Sequence, residues 1–460
     1  MDSKMELNTA NLLDHLADFA VSLKYENLPE EVVHRAKRRI FDSLGCLIMG
    51  VRHDEAVKLV RCGMSGKKWQ TQHVSGLAIG MDGSYSLENA AFLNAHAIRA
   101  LDWNDTYLSR EPAHPSDNIG ALLALAGICG GKELITALVL AYEIQCHFCD
   151  AASLRKEGWD HTYYLQLSST LAAGKIIGLS KEQLVHAASH ALLSPPSRQG
   201  RSGSKLSHTK GLYAGYAAKK GVESACLALM GMTGPAEIID GEFGVIKQVF
   251  HGKCPNLSAF SALGSTFKIS KNHTKLYPVE YHAQAVVALG LKIRKIIEDI
   301  WRIEKIDICS YEFAKRVIGD RFKRRPETKE SADHSLFFVL ASALLDGELT
   351  LKQYEPARLR DARIWNLIDK MSDIHELPKY NAAYKNTNLP EFPVSASVLT
   401  QDGWWFKEEI RLPKGHFAHP LSDEELKNKF GEQLPNLDFV WDLETMNARD
   451  LYWTLKGLKI

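Results

Sequence analysis

The residues best suited to chemistry crowd into one stretch, Arg99 to Asn118, reading RALDWNDTYLSREPAHPSDN. It places Asp102, Asp105, Thr106, Glu111, His114, Ser116 and Asp117 in a short loop between two apolar helix patterns. An imidazole titrates nearest neutral pH, and a carboxylate on the same loop can orient it and help it move a proton. Ser116 stands where an N-cap of the second helix is expected. A helix N-terminus offers unpaired N–H groups and partial positive charge to a carboxylate or phosphate. The plain alternative is a polar inter-helix loop with ordinary capping residues.

Other chemistry-bearing residues lie further along. His161 opens a helix in EGWDHTYY, and Lys210 opens another in SHTKGLYAGYAAKKG, among Ala214, Ala217 and Ala218. A lysine there is either a solvated cap or a buried anion ligand, and burial would require a partner. KLYPVEYHAQ sets Lys275, Tyr277, Glu280 and His282 beside a proline turn. DRFKRRPETKESADHS carries Arg321, Lys323, Arg324 and Arg325 ahead of Asp333-His334-Ser335. That basic run reads equally as a solvated surface loop, and the last three residues as helix capping. Asp102, Asp105 and His114 form a rival constellation for a divalent ion. An iron–sulfur cluster would need suitably spaced cysteines, which the chain lacks. Cys146 and Cys149 make one CxxC with His147 inside it, expected to be structural because a zinc site needs four matched ligands.

These residues must be positioned by helices. Residues 29–50 have apolar positions at three/four spacing, and helices are expected near 86–101, 119–129, 132–152, 163–178 and 182–193. Frequent Gly and Ala at their inward positions allow close helix approach. A short strand is expected near Gln72–Ser75. After about residue 268 the pattern changes: EKIDICSY alternates as a strand, and 394–412 reads as a hairpin turning at Asp402-Gly403. The expected fold is mainly α, with a large helical domain from residues 1–268 and 415–460 and an inserted α+β domain over 269–414.

With 460 residues, 45% hydrophobic and 24% charged, the composition is globular, and a formal charge of +1 gives no field for nucleic acid or membrane. No apolar run reaches the roughly 18 residues of a membrane span. The N-terminus has neither a secretory pattern nor an acid-free transit pattern, and the scattered cysteines suit reduced thiols, so a cytoplasmic location is expected. Without β-α-β alternation or a GxGxxG or GxxxxGK[ST] loop, nucleotide-binding folds are not expected.

LDWNDTYLSREPAHPSDN, SHTKGLYAGYAAKKG, YPVEYHAQ and RRPETKESADHSLFFVLASALLDG, in that order, resemble the MmgE/PrpD family. They are most similar to its 2-methylcitrate dehydratase branch. The resemblance spans nearly the whole chain. It implies a helical domain built from both chain ends, a smaller α+β lid, a homodimer and metal-independent chemistry without a cofactor. Carried over by motif, the family's aspartate and threonine fall on Asp102 and Thr106, its histidines on His114 and His161, and its lysines on Lys210 and Lys275. The decarboxylase branch carries a histidine where this chain has Glu280; His282 either replaces it or only packs. The first loop is also two residues longer than in that branch.

The expected reaction removes water from a 2-hydroxy tricarboxylate such as 2-methylcitrate, with citrate as a further substrate to test. Lys210, Lys275 and a lid arginine, Arg325, would hold carboxylates; His114 and His161 would carry protons, in either order. Asp102 would orient one histidine, and Thr106 would bind substrate. The alternatives are a cis-aconitate decarboxylase, an epimerase or isomerase of a small dicarboxylate, and a non-catalytic carboxylate-binding protein.

Overall fold

The computed structural model describes residues 7–65, 75–201, 206–431 and 434–460. Most of the expected strand near Gln72–Ser75 lies outside these residues. The fold is mainly α. The chain divides into two compact units: Met1–Arg201, Thr209–Asn272 and Glu425–Ile460 form the first, Ser202–His208 and His273–Glu424 the second.

In the first unit the described elements are helices joined by loops with isolated bridges. Among them are α1 (Leu12–Ser22), α2 (Glu30–His53), α3 (Glu55–Met64), α4 (Leu87–Arg99), α5 (Asp117–Ala124), α6 (Gly131–Ala151), α7 (Thr162–Ile177), α8 (Lys181–Ala191) and α9 (Thr209–Leu229), with further helices at Val245–Gln248 and Ala448–Lys456. Glu30 and Glu31 open α2 and Arg52 and His53 close it, which complements the helix dipole. A capping box of Ser180 and Gln183 starts α8. α9 packs on α4 and α7 through small residues such as Ala214, Ala217 and Ala218. α6 is long and apolar enough to pass as a membrane span, against the sequence expectation. Yet 94% of its apolar window is buried inside the protein.

Two contacts fix the chain around the Arg99–Asn118 loop. Gly120 lets α5 approach α4 closely: a Cβ there would run into the backbone nitrogen of Ala95. Gly120→Ala is expected to cost about 1–3 kcal/mol through overpacking, read as a fall in the denaturation midpoint. Buried Lys429 bonds Asp42 at 2.6 Å and the carbonyl of Trp103 at 2.8 Å, so the C-terminal segment anchors the loop's start.

The second unit carries a four-stranded sheet in the order β2-β1-β3-β4, with β1 at Ile303–Ser310, β2 at His375–Glu376, β3 at Val394–Thr400 and β4 at Trp405–Ile410. β1 runs antiparallel to β3 and parallel to β2. The alternation read in EKIDICSY is real: Ile306 and Ile308 are fully buried, paired with Val398 and Ala396. The β3–β4 hairpin turns at Asp402-Gly403, where Gly403 takes a φ of +82°. Helices at Gln284–Ile296 and Leu336–Asp346 pack together, the first also against β3 and β4.

Candidate active site

Asp102 follows α4 with a φ of +53°, left-handed backbone that Asp tolerates better than most residues. Its Oδ1 accepts a hydrogen bond from Arg99 Nη1 at 2.8 Å, and its Oδ2 accepts one from Lys210 Nζ at 2.8 Å. The three side chains are at least nine-tenths buried. Lys210 is therefore not a solvated cap: it is buried, and it pairs with the Asp102 carboxylate. α9 delivers it because α9 packs on α4, the helix that ends in Arg99.

Arg99 also reaches His114. Its Nη2 lies 3.0 Å from Nε2 of the imidazole, whose Nδ1 lies 2.7 Å from the carbonyl of Asp105. A carbonyl only accepts and a guanidinium only donates, so these partners assign the hydrogen to Nδ1 and a lone pair to Nε2. The tautomer of His114 is therefore fixed by the Asp105 carbonyl. Between Asp102 and His114 stands Arg99, which bonds both.

Asp105 is the hub of the loop. Its Oδ1 accepts from the Ser116 backbone N–H at 3.0 Å and its Oδ2 from the Tyr142 hydroxyl at 2.8 Å, with Arg39 Nε 3.8 Å away. Tyr107 and Ala113 bridge the loop's two arms, and the Thr106 hydroxyl donates to the Ala113 carbonyl at 3.1 Å. Ser116 occupies the N-cap position of α5 but does not cap it with its side chain, because its hydroxyl accepts from Asn104. Asp102, Asp105 and His114 make a poor metal ligand set, since protein donors already engage Asp102 and Asp105, and His114 is held at both nitrogens.

Asp117, also bonded by Asn104, is fully buried. Burial pushes its carboxyl up to about 7, against Arg99 and Arg201, with Asp105 adding to the rise. The unfolded value is near 3.9. Between about pH 4 and 7 the folded state therefore holds a proton that the unfolded state has lost. Stability from this group is full below that window, declines across it and stays low above it. Asp117→Asn is expected to flatten that decline, leaving the variant relatively more stable at pH 8 by on the order of 2–4 kcal/mol. Urea denaturation of both proteins from pH 4 to 8 measures it.

His161 precedes α7 and is 7% exposed. Both its ring nitrogens are buried without a hydrogen-bond partner among the described residues. Burial pushes its pKa down to about 3; Asp160 opposes the shift, and Arg201, Arg99 and Arg198 add to it. The ring meets His114 edge-on, centroids 5.5 Å apart. Asp160 accepts from the backbone and hydroxyl of Thr162 and pairs with Arg201 Nε at 3.3 Å.

In the second unit, buried Lys275 precedes a turn held by Gln284, which accepts from Leu276 and Tyr277 and donates to the Tyr277 carbonyl. His282 is buried against Tyr311, Phe313, Tyr384 and Phe392, with Nδ1 2.5 Å from the Tyr311 hydroxyl. Of its two expected roles, this setting favours packing. Glu280 caps the short turn at Tyr281–Ala283 by accepting from the His282 N–H. Arg325 is more than half exposed, paired with Asp369 at 3.1 Å and laid over Trp365. With Arg321 and Arg324 on Asp373, that basic run is a surface ion-pair loop, not the carboxylate clamp expected of Arg325. Ser335 caps the helix that follows it, as the plain alternative held. Cys146 and Cys149 are buried free thiols raised well above their usual range by burial, and His147 between them bonds Glu143 and the Ala259 carbonyl. That CxxC is structural.

The MmgE/PrpD N-terminal domain model matches residues 14–258 and the MmgE/PrpD C-terminal domain model residues 277–437. The chain belongs to the MmgE/PrpD family. It is 27% identical over 434 residues to the 2-methylcitrate dehydratase of Escherichia coli K12, covering 88% of this chain and 85% of that protein. It is 26% identical to the mitochondrial 2-methylcitrate dehydratase of Yarrowia lipolytica, over 89% of this chain and 81% of that one. It is also 27% identical to the human cis-aconitate decarboxylase, over 91% of this chain and 87% of that enzyme.

For this MmgE/PrpD chain, the first unit brings together Asp102, Thr106, His114, His161 and Lys210, while Lys275, His282 and Arg325 belong to the second. Sequence reasoning passed over Arg99, although it opens the loop, because an arginine ending an apolar helix reads as a dipole-matched terminus. It also missed the Asp160–Arg201 pair, which joins residues 41 positions apart across the Trp159–Ser197 bridge.

Proposed function

We propose that this protein is a lyase that removes water from a 2-hydroxy tricarboxylate, 2-methylcitrate first among candidates, without a metal or organic cofactor. One observation carries the reading: Arg99 ties the Asp102–Lys210 pair to a neutral His114 whose tautomer leaves Nε2 as its basic atom. A second neutral imidazole, His161, lies edge-on to it. Cations beside proton carriers suit elimination next to a carboxylate; a binding module would need only the cations.

In this proposal a substrate carboxylate draws Arg99 away from Nε2 of His114. The freed lone pair takes the proton from the carbon next to that carboxylate. The C–H electron pair becomes the new double bond, the C–OH bond breaks, and the oxygen leaves as water after taking a proton. His161 supplies that proton. Burial keeps it neutral, and the incoming carboxylates favour its charged form. Lys210 stabilises the charge that builds on the substrate. Lys210→Ala is expected to lower kcat by about 10²–10³-fold, checked by steady-state kinetics alongside a circular dichroism spectrum.

The protein is proposed to act as a cytoplasmic homodimer, for which exposed Leu229, Met230, Met232 and Phe243 supply apolar side chains. The second functional reading is a cis-aconitate decarboxylase, since one relative bears that name. Mass spectrometry of reactions offered 2-methylcitrate, citrate and cis-aconitate separates the two. Loss of water from a hydroxy acid supports the dehydratase; loss of carbon dioxide from cis-aconitate alone replaces it with the decarboxylase.

A further inference from the structure

The Asp160–Arg201 pair has no part in the chemistry above, yet it is built into the same cluster. Arg201 closes a short turn at Arg198–Arg201. Its side chain is only 11% exposed. Nε serves Asp160, while Nη1 is buried with no hydrogen-bond partner among the described residues. A buried guanidinium N–H left unpaired is costly, and the cost is recovered when an acceptor arrives. The chain next to Arg201 supplies a second open group, His161, with both ring nitrogens buried and unpartnered. Asp160, adjacent in sequence to His161, is the residue that holds Arg201.

The charges fit an anion. Arg201 lies within electrostatic reach of Arg99, Asp102 and Asp117. Burial pushes the Arg201 guanidinium down, Asp160 opposes that, and Arg99 adds to it. The cluster thus sets three cations, Arg99, Lys210 and Arg201, against Asp102 and Asp160, while burial raises the Asp117 carboxyl to about 7. One more carboxylate would balance the cations and fill the open donor of Arg201.

We infer that Arg201 binds a substrate carboxylate in the first unit, with its free Nη1 edge beside His161, and that Asp160 positions it. This deepens the proposed function by naming a specificity residue for a polycarboxylate. It also explains how substrate would bring negative charge to His161. The fork geometry of arginine matters here, because one edge is spent on Asp160 and another remains for the ligand.

The test uses tricarballylate, a tricarboxylate with no hydroxyl to eliminate, so that binding is read apart from turnover. Isothermal titration calorimetry and melting are run on wild type, Arg201→Gln and Arg201→Lys. Tricarballylate is expected to bind wild type and raise its Tm. Arg201→Gln is expected to weaken binding by at least about tenfold, the loss of one charge-assisted contact. Arg201→Lys, which keeps the charge but not the fork, should fall between them and carries the test if the glutamine variant does not fold. The ligand-induced rise in Tm should shrink beyond any drop in the ligand-free Tm, which a purely structural role would not produce. Undiminished binding by folded variants, or no binding by wild type, overturns the inference. Arg201-dependent binding by a wild-type protein that converts no hydroxy acid upholds the inference and defeats the dehydratase reading alone.

Discussion

His114→Ala is expected to remain folded and to lose about 10²–10⁴-fold in kcat, the usual contribution of one positioned proton carrier. The imidazole is partly exposed, its ring nitrogens meet Arg99 and the Asp105 carbonyl, and its ring packs against that of His161. Asp105 still holds the loop through Ser116 and Tyr142 after the ring is gone. Folding should therefore change little while the basic nitrogen is removed. Circular dichroism and melting establish the fold, and steady-state kinetics the rate. Turnover near wild type in a folded variant would remove His114 from the mechanism.

Arg99→Leu is expected to damage both stability and rate. Arg99 is 2% exposed and is shared by Asp102 and His114. Removing one partner of a buried ion pair typically costs about 3–5 kcal/mol, moderated here because Lys210 still faces Asp102. The rate should fall by on the order of 10²–10³-fold, as for loss of a preorganised charge contact. Arg99→Lys separates the two effects. A lysine can restore one charge beside Asp102 but cannot present two donors in a rigid fork. It should recover stability more fully than rate. Equal recovery of both would mean that Arg99 acts only as a structural counter-ion.

The fold was legible where local rules and burial agree. The hairpin over Val394–Ile410 follows from Asp402-Gly403, and β1 from its alternating isoleucines. The helices around the loop follow from three/four spacing and small inward residues. Ser116 stands at the N-cap as its position indicates, but its hydroxyl accepts from Asn104, twelve residues upstream, a partner that local capping preference does not reveal. The candidate residues of the loop were legible because their types are concentrated there. Their wiring was not. Nothing in sequence spacing shows that Arg99, rather than Asp102, meets His114. That depends on the left-handed turn at Asp102. Arg325 was misassigned because a basic run carries no sign of the acidic residues, Asp369 and Asp373, that fold back onto it.

The most direct test of the central claim is absorbance near the ultraviolet edge, recorded on exhaustively chelated protein offered 2-methylcitrate isomers and citrate, with folded His114→Ala alongside. The account predicts rising absorbance from a new conjugated double bond in wild type, undiminished by chelation and nearly absent in the variant. A flat trace with every hydroxy acid, or a rise that only added metal restores, would contradict it.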